Sequence, residues 1–372
     1  AAKKVGKGKT VILVATSGDT GKAALEGFKD VPHTRILVFY PALGVSPMQK
    51  LQMVTQEGAN VGVCAINGNF DDAQNGVKKI FTDKEVAAKL DENGMMFSSA
   101  NSINWGRLVP QIVYYISAYC DLIEKGKIKN GDEVNVVVPT GNFGNILAAY
   151  YAKKMGIPFG KLICASNANN VLTDFLKTGT YDRNRKFFTT TSPSMDILIS
   201  SNLERLLYIL SGGDDKKVSG YMSELSKNGK YTVDAEILDK IKAVFSAGCC
   251  DDEQTKATIG AVYSDKKYLC DTHTAVAVKV YDEYRKATGD NTPTIIASTA
   301  SPFKFTASVL SAINPALVEG EEYEMAKVLA DETGVPCPVQ LTGLENKEIR
   351  FSSVIDKTEM YGAVYNMLGI EG

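Results

Sequence analysis

The sequence lacks the features that would indicate membrane, nucleic-acid or secretory functions. Its 372 residues include no apolar run of the roughly 20 residues that a bilayer span needs. The formal net charge is −2 and no long run of one sign occurs, so neither a phosphate-backbone binder nor an anionic-membrane binder is indicated. The amino terminus is basic but lacks the apolar stretch of a signal peptide. Small-molecule chemistry is the class of function that these absences leave, and we expect no nucleic-acid or membrane partner.

The cysteines give no sign of a disulfide framework or a metal site. There are seven, an odd number, and no two have the C-x-x-C spacing of redox and zinc sites. Several lie in apolar runs, as Cys164 does, where a thiol behaves as a small core residue. Cys249 and Cys250 are adjacent and could bridge only with strain. We therefore expect free thiols, no metal, and a reducing, cytoplasmic setting.

Short apolar, β-branched runs recur along the chain and predict buried strands. Continuous apolar runs, rather than alternating ones, are what a strand covered on both faces requires. Helical patterns separate the runs, which favours strand–helix–strand units and a parallel sheet with right-handed crossovers. The predicted strands lie at residues 10–15, 35–40, 61–66, 134–138, 161–165 and 294–297.

The order of these elements predicts an α/β protein of two domains. We place a small domain at residues 8–104 and a larger one at residues 105–372. A long apolar helix, predicted at residues 107–122, opens the larger domain. One side of this helix carries Val109, Val113, Ile116 and Tyr119. The polar, helical stretch at residues 211–256 is interpreted as a surface insertion.

A glycine-containing turn, T-S-G-D-T-G at residues 16–21, follows the first predicted strand and opens a helix. Glycine permits positive φ and a close approach of the backbone. The free N–H groups of a helix start, together with the hydroxyls, make an anion site. The alternative, equally supported at this point, is that Ser17 or Asp19 only caps the helix.

A second turn, P-T-G-N-F-G-N at residues 139–145, lies between a predicted strand and an apolar helix at residues 146–153. Backbone amides in such a turn can cradle a phosphate. It is neither G-x-G-x-x-G nor a P-loop, because no Lys-Ser/Thr follows the second glycine. The alternative is a tight turn with a capping asparagine. Parallel sheets place ligands at the carboxyl ends of their strands, so two such turns together favour a ligand site.

Two further polar segments could join this site. The segment N-S-I-N-W-G-R at residues 101–107 offers amides, a hydroxyl and an arginine for a phosphate or carboxylate, although it could also be only a capped helix start. The segment A-S-T-A-S-P at residues 297–302 closes another predicted strand, so its hydroxyls are expected to face the same cleft.

Together, these segments resemble the threonine synthases of the bacterial and fungal type, within the tryptophan-synthase-β-like class of pyridoxal-phosphate enzymes. The resemblance extends from about Lys9 to about Cys337, with the motifs in the family's order. The further matching motifs are P-x-x-x-x-S-P-x-Q at residues 41–49, N-G-N-F-D-D at 67–72, S-P-S-M-D at 192–196 and D-T-H-T-A at 271–275. The implied fold is that class's pair of parallel-sheet α/β domains.

The resemblance implies pyridoxal 5'-phosphate as the cofactor and O-phospho-L-homoserine as the substrate. The implied reaction converts this substrate and water into L-threonine and phosphate. It assigns the cofactor to Gly141, Asn142, Phe143, Gly144, Asn145 and Thr299. Phe143 would lie close to the cofactor ring, and Thr299 would face the pyridine nitrogen, where a hydroxyl leaves the ring largely unprotonated. The segment that meets the amino-acid end of the substrate matches Ser17, Asp19 and Thr20. The candidates for the substrate phosphate are Asn104 and Arg107.

The sequence departs from the family at the Schiff-base lysine. The family carries this lysine in a motif ending A-F-K-D upstream of T-S-G-D-T-G, whereas only a few residues precede the first strand here. Gly27-Phe28-Lys29-Asp30 has similar letters but lies downstream, so we assign neither Lys29 nor Lys22 as that lysine. We therefore expect that the catalytic lysine is missing with an amino-terminal segment, which is a candidate partner, and that the chain alone is inactive. Ser301 stands where the family commonly has histidine.

Other functions stay open on the sequence alone. A threonine-synthase-like phospho-lyase would share the fold and cofactor but release 2-oxobutyrate. A non-catalytic fragment that binds a partner segment is a second alternative. A nucleotide-binding oxidoreductase is disfavoured, because no G-x-G-x-x-G follows any predicted strand. For His273, which opens an apolar helical run, we favour a structural, capping role.

Overall fold

The computed structural model describes residues 8–16, 18–101 and 104–371. Ser17, one of the predicted substrate-binding residues, lies outside them. The strands are β1 (Lys9–Ala15), β2 (Thr34–Pro41), β3 (Val61–Asn67), β4 (Met95–Ser99), β5 (Val134–Pro139), β6 (Phe159–Ser166), β7 (Thr180–Asp182), β8 (Lys230–Thr232), β9 (Phe245–Cys249), β10 (Thr294–Ile296) and β11 (Val354–Asp356). The helices are α1 (Asp19–Phe28), α2 (Pro47–Val54), α3 (Phe70–Thr82), α4 (Lys84–Glu92), α5 (Trp105–Glu124), α6 (Gly144–Lys154), α7 (Val171–Thr178), α8 (Leu203–Leu210), α9 (Asp215–Asn228), α10 (Ala235–Val244), α11 (Asp252–Lys266), α12 (Thr272–Thr288), α13 (Thr306–Ile313), α14 (Glu322–Thr333) and α15 (Met360–Leu368).

The chain divides into two compact units. The first unit comprises Ala1–Asn104 and Glu319–Gly372, and the second comprises Trp105–Val318. Each unit contains a parallel sheet with helices packed against it. The prediction of two parallel-sheet α/β domains is therefore confirmed.

The first unit is built on a five-stranded sheet in the order β11-β3-β2-β1-β4, in which all neighbouring strands are parallel. β1 lies inside the sheet and is buried from Val11 to Ala15, which is why its sequence is a continuous apolar run rather than an alternating one. On one face of the sheet, Leu25 of α1 and Met53 of α2 belong to the same core as Ile12. The carboxyl ends of β1 and β4 lie side by side at one edge of this sheet.

Residues 319–372 differ from the predicted division, because they belong to the first unit and not to a domain spanning 105–372. β11 adds a parallel strand to the free edge of β3. The backbone N–H groups of Arg350 and Phe351 both donate to the carbonyl of Val54. No sequence pattern indicates that this segment returns to the first unit, since β11 is three residues long and mostly exposed.

The second unit is built on a four-stranded parallel sheet in the order β10-β5-β6-β9. Alternate residues of β5 face opposite cores. Val136 and Val138 pack with α5 and α6, whereas Val137 packs with Val276 and Val280 of α12. Helices therefore cover both faces of the sheet, as a parallel sheet requires.

Two detailed predictions for the second unit need correction. The stretch 211–256 is not only a surface insertion, because β9 pairs with β6 as the edge of the main sheet, and α10 buries Ile237 and Ile241. Only α9 within this stretch has no buried residue. The small residues of β9 gave no apolar run to recognise.

The helix α5 buries a different face from the one that was predicted. Its buried residues are Leu108, Ile112, Tyr115 and Tyr119. Val109 and Val113 are 41% and 60% exposed, although both were predicted to share the face of Tyr119. Apolar residues surround most of this helix, so the sequence period alone did not fix the buried side.

No helix in the described part of the chain is long and apolar enough to cross a membrane. Among the same residues, no group of three or more His, Cys, Asp and Glu side chains is arranged to hold a metal ion. All seven cysteines are free, and burial raises the pKa of the Cys164 thiol to about 12.

Candidate functional site

The loop between β5 and α6, at residues 140–143, ends in uncapped backbone amides. The first backbone bond of α6 runs from the N–H of Leu147 to the carbonyl of Phe143, so the amides of Gly144, Asn145 and Ile146 precede it. No side chain caps this helix start. A helix N-terminus with free N–H groups attracts anions through both the donors and the helix dipole.

Phe143 holds the loop in a backbone conformation that is unusual for its residue type. Its φ is 62° and ψ is 2°, in the left-handed region, which costs a residue with a Cβ roughly 1–2 kcal/mol. Its ring is 1% exposed and packs against Phe245 with the ring centroids 5.7 Å apart. Burial of the ring offsets the backbone strain. The ring packs in the core beside Phe245, and its predicted closeness to the cofactor ring stays a prediction.

Gly141 allows a neighbouring segment to approach the loop closely. A methyl group at this position would lie 2.9 Å from Cδ1 of Ile197, 3.1 Å from the carbonyl oxygen of Ser194 and 3.2 Å from Cα of Met195. Such distances leave no room for a side chain. The short helical turn Pro193–Met195 therefore forms one wall of the loop.

Buried polar side chains fix the other parts of the loop. Asn202, which is fully buried, donates from Nδ2 to the carbonyl of Asn142 at 2.8 Å. Its own Oδ1 accepts from Arg205, whose guanidinium lies over the ring of Trp105. Tyr115 donates its hydroxyl proton to Oδ1 of Asn145, and burial raises the pKa of Tyr115, which keeps it a donor.

Thr299 lies at the same edge of the second unit's sheet as this loop. It follows the end of β10, which pairs with β5 in parallel up to Ile296 beside Val137. The N–H of Ala297 continues the pairing by donating to the carbonyl of Val137 at 2.9 Å. Thr299 itself is exposed. The six predicted cofactor residues thus occupy one edge of one sheet, and their contact with a cofactor stays a prediction.

In the first unit, the turn after β1 is folded around a buried threonine. Oγ1 of Thr16 accepts hydrogen bonds from the N–H groups of Gly18 and Gly21 at 2.9 and 2.8 Å. Gly18 has φ 139°, and a methyl group there would lie 2.5 Å from the carboxamide of Gln49. Glycine is required at this position for both reasons.

Gln49 explains why two separate motifs occur together in the sequence. It belongs to the capping box of α2 with Ser46, and its Nε2 donates to Oδ1 of Asp19 at 3.0 Å. Gln49 is 1% exposed, so this contact is shielded from water. Gly18, and not Asp19, occupies the N-cap position of α1. Asp19 is the first residue of the helix and Thr20 is half-buried beside it, and their contact with a substrate stays a prediction.

Asn101 and Asn104 follow β4 and lie at the same edge of the first unit's sheet as this turn. Asn101 accepts from the N–H of Ala15 at 2.9 Å and donates to the carbonyl of Ala15 at 2.6 Å. Asn104 donates from Nδ2 to the carbonyl of Ser99 at 2.7 Å. Asp19, Thr20 and Asn104 thus share one edge. Arg107 belongs to the second unit, and burial lowers the pKa of its guanidinium.

The two lysines considered above are engaged elsewhere. Nζ of Lys22 lies 2.8 Å from Glu26, and Nζ of Lys29 lies 3.1 Å from Glu57. Lys29 follows the last residue of α1, at the far end of that helix from its glycine turn. A hydrogen bond to Glu57 raises the pKa of Lys29, which disfavours the neutral amine that attacks a carbonyl.

Asn202 was not predicted from the sequence, because its partner lies far away along the chain and no motif contains it. Gln49 and Asn101 lie in segments that the sequence singled out, but neither had an assigned role, since their partners also lie far away along the chain. Asp271, rather than His273, is the side chain that caps α12, by accepting from the N–H groups of His273 and Thr274.

The segment at residues 140–145, which comprises the loop and the first two residues of α6, fits the phosphate of pyridoxal phosphate. It presents uncapped N–H donors at a helix start and contains no acidic side chain. Gly144 has no side chain that could obstruct these donors. A methyl group at this position would contact Asn202.

Comparison with known proteins agrees with this geometry. Residues 1–299 match the family described as pyridoxal-phosphate dependent enzyme, and residues 274–364 match the family described as threonine synthase, C-terminal. The chain belongs to the pyridoxal-phosphate-dependent enzyme family, whose cofactor is pyridoxal phosphate.

Its relatives are threonine synthases and threonine synthase-like proteins. It is 45% identical to human threonine synthase-like 1 over 310 residues, which covers 82% of this chain and 41% of the human protein. It is 40% identical to threonine synthase of Saccharomyces cerevisiae over 341 residues, which covers 88% of this chain and 64% of the yeast protein. The crystal structure of pyridoxal-phosphate-bound threonine synthase from Brucella melitensis matches with a TM-score of 0.82 and 37% identity, covering all of this chain and 73% of that one. The chain thus spans less than half of the human relative.

Proposed function

We propose that the chain carries the cofactor-phosphate loop and the substrate-binding turns of a threonine synthase. The reaction converts O-phospho-L-homoserine and water into L-threonine and phosphate. The observation that supports this most directly is the uncapped start of α6 at the carboxyl end of β5, on the same sheet edge as Thr299. A cytoplasmic location accompanies the proposal as a prediction.

On this proposal, the residues of the second unit bind and orient the cofactor. The backbone amides of residues 141–145 hold its phosphate, and the hydroxyl of Thr299 meets the pyridine nitrogen. Bound pyridoxal phosphate supplies an electron sink for the charge that develops at the α-carbon of the substrate. The neutral hydroxyl of Thr299 moderates that sink, because it does not stabilise a protonated ring as a carboxylate would.

The proposed substrate-binding residues form two sets, which bind different parts of the substrate. Ser17, Asp19 and Thr20 orient the amino-acid end of the substrate, with Gln49 holding the Asp19 carboxylate in place. Asn104 and Arg107 bind the phosphate that leaves. An arginine suits a leaving phosphate, since charge accumulates there and the guanidinium can bind two oxygens at once.

Neither Lys22 nor Lys29 forms the covalent link to the cofactor in this proposal, because both follow the T-S-G-D-T-G turn rather than precede it, and each amine is paired with a carboxylate. We therefore expect residues 1–372 to show negligible synthase activity by themselves. Incubation with pyridoxal phosphate, borohydride reduction and peptide mapping would test this. Stoichiometric reduction onto Lys29, abolished in Lys29→Arg, would contradict it.

A matched pair of glycine variants tests the phosphate loop. Gly141→Ala places a methyl group against Ser194 and Met195, whereas Gly27→Ala places one in open space. We expect Gly141→Ala to weaken binding of pyridoxal phosphate about tenfold without weakening pyridoxal, which lacks the phosphate, and Gly27→Ala to change neither. Equal loss for both ligands would place the phosphate elsewhere.

Product analysis separates the synthase from its nearest alternative. The match to threonine synthase-like 1 keeps a threonine-synthase-like phospho-lyase as the second candidate. The chain, supplied with a segment that carries the family's lysine, should release threonine from O-phospho-L-homoserine. Release of 2-oxobutyrate in its place would favour the phospho-lyase.

A further inference from the structure

His273 lies at the centre of a buried hydrogen-bonded network in the second unit. Its side chain is almost completely buried, and its ring packs against Phe305. Nδ1 lies 3.1 Å from Oδ1 of Asp271, and Nε2 lies 3.3 Å from the backbone nitrogen of Ser194. The N–H of Ser194 can only donate, so Nε2 accepts and Nδ1 carries the proton that is donated to Asp271.

One branch of this network reaches the phosphate loop. The carbonyl oxygen of Ser194, the residue held by His273, is one of the atoms that exclude a side chain at Gly141. The Pro193–Met195 turn thus packs closely against Gly141 of the loop, and its Ser194 N–H is bound by the imidazole of His273.

The same turn is fixed at its carboxyl end by Asp196. This buried carboxylate accepts from Nδ2 of Asn167 at 2.8 Å and from Nδ2 of Asn169 at 3.0 Å. Its second oxygen accepts from the N–H of Thr190 at 2.9 Å. Asn167 also donates to the carbonyl of Ser192 at 3.3 Å, so both ends of the turn are anchored, and the bond from Ser194 to His273 holds its middle.

The other branch reaches the segment after β10. Thr274 donates its hydroxyl proton to Asp271, and the Thr274 hydroxyl lies 3.2 Å from Oγ of Ser298. Ser298 directly precedes Thr299. A single network therefore contacts both segments to which the cofactor is assigned in the second unit.

We propose that His273 is a positioning residue, which holds the Pro193–Met195 turn against Gly141 and thereby sets the phosphate-binding geometry of the loop. The inference rests on the proposed function, because it assigns His273 to the same phosphate site. It acts through Ser194 and touches no ligand itself.

Two substitutions separate the Ser194 contact from the Asp271 contact. His273→Asn keeps a donor near Asp271 but is too short to reach Ser194. His273→Gln has an amide oxygen at about the distance of Nε2, so it can accept from Ser194. We expect the preference for pyridoxal phosphate over pyridoxal to fall about tenfold in His273→Asn and to stay within about twofold of wild type in His273→Gln.

A labelling experiment reads the loop directly and without activity. The dipeptide Asn-Phe occurs only at residues 69–70 and 142–143, so protein labelled with ¹³C-carbonyl asparagine and ¹⁵N phenylalanine gives one loop signal and one internal reference. Adding inorganic phosphate to the full chain should shift the Phe143 amide in wild type and His273→Gln, but much less in His273→Asn. The Phe70 amide should stay unchanged throughout.

A control variant separates positioning from a general loss of stability. Tyr119→Phe removes a buried hydroxyl that donates to the carbonyl of Asp132 and accepts from the N–H of Gly131, just before the amino end of β5 and so at the opposite end of that strand from the loop. It should lower the melting temperature while leaving both ligand preference and the Phe143 response intact. If His273→Asn also keeps both, the inference is overturned and the proposed function stands. If the wild-type Phe143 amide does not respond to phosphate, the proposed function fails and the inference fails with it.

Discussion

At the carboxyl end of β1, the side chain of Asn101 binds the backbone of Ala15 as a neighbouring strand would. It satisfies both the N–H and the carbonyl of that residue at the point where the sheet ends. Backbone groups left unpaired in a partly buried position cost about 1–3 kcal/mol each, so one amide at this position stabilises the start of the turn.

Asn101→Ala should therefore lower the free energy of unfolding of the first unit by about 1–3 kcal/mol. Asn93→Ala is the matched control, because Asn93 is exposed and its amide bonds only the carbonyl of Lys89 within its own helix end. Urea unfolding followed by circular dichroism measures both. Equal small losses of unfolding free energy in the two variants would show that the two hydrogen bonds from Asn101 to Ala15 contribute nothing to stability.

Asp196 makes stability depend on pH in a defined direction. Burial raises its pKa to about 6, although hydrogen bonds from Thr190 and Asn167 oppose the rise. An unfolded aspartate titrates near 3.9, so the folded state binds this proton more tightly. The contribution is fully present below about pH 4 and is lost as the pH rises through about 6.

Asp196→Asn removes this titration. Between pH 4.5 and 7.5, wild type should lose on the order of 2 kcal/mol of stability relative to the variant. Urea midpoints at the two pH values measure the difference. Parallel pH profiles for the two proteins would exclude a raised pKa at this position.

At the residue scale, the sequence predicted the turns but not what holds them. Glycines and hydroxyls between a strand and a helix mark such a turn locally, as Gly18 and Gly141 do. The side chains that position them, Gln49 and Asn202, come from other segments. Gln49 ends a recognised motif and Asn202 belongs to none, but neither sequence context shows which distant group the amide binds.

At the scale of elements, α5 shows how a helix can be predicted while its buried face is not. Ile112 is 9% exposed and the adjacent Val113 is 60% exposed, yet both are β-branched and apolar. Ile112→Ala should cost about 2–4 kcal/mol because it leaves a cavity, whereas Val113→Ala should stay within about 0.5 kcal/mol. Thermal unfolding of the two variants measures this, and a larger loss at Val113 would mean that the other face is buried.

Some strands could be recognised from their amino-acid composition, and others could not. β1 and β5 lie inside their sheets and are covered on both faces, so their continuous apolar runs were recognised. β4, β9 and β11 lie at sheet edges, where one side of the backbone needs no partner, and they were missed. β10 is also an edge strand, but its Thr-Ile-Ile sequence was apolar enough to be recognised.

At the scale of the whole molecule, the first unit depends on residues far apart in the chain. A chain ending at Val318 would leave the edge of β3 without β11 and the carbonyl of Val54 without its two donors. We expect hydrogen exchange at the amides of β3 to accelerate by at least about tenfold, while the amides of β5 and β6 keep their protection. Loss of protection in both units would show that they do not unfold independently.

The discontinuity of the first unit also bears on how the protein is made. A ribosome releases polypeptide from the amino end, so residues 105–318 can assemble their sheet while β11 is still untranslated. Until β11 is synthesised, the backbone N–H and carbonyl groups at the edge of β3 have no partner strand. Such unpaired edges promote aggregation. Translation speed over residues 319–372, rather than over residues 8–104, should therefore govern the yield of a correctly folded first unit.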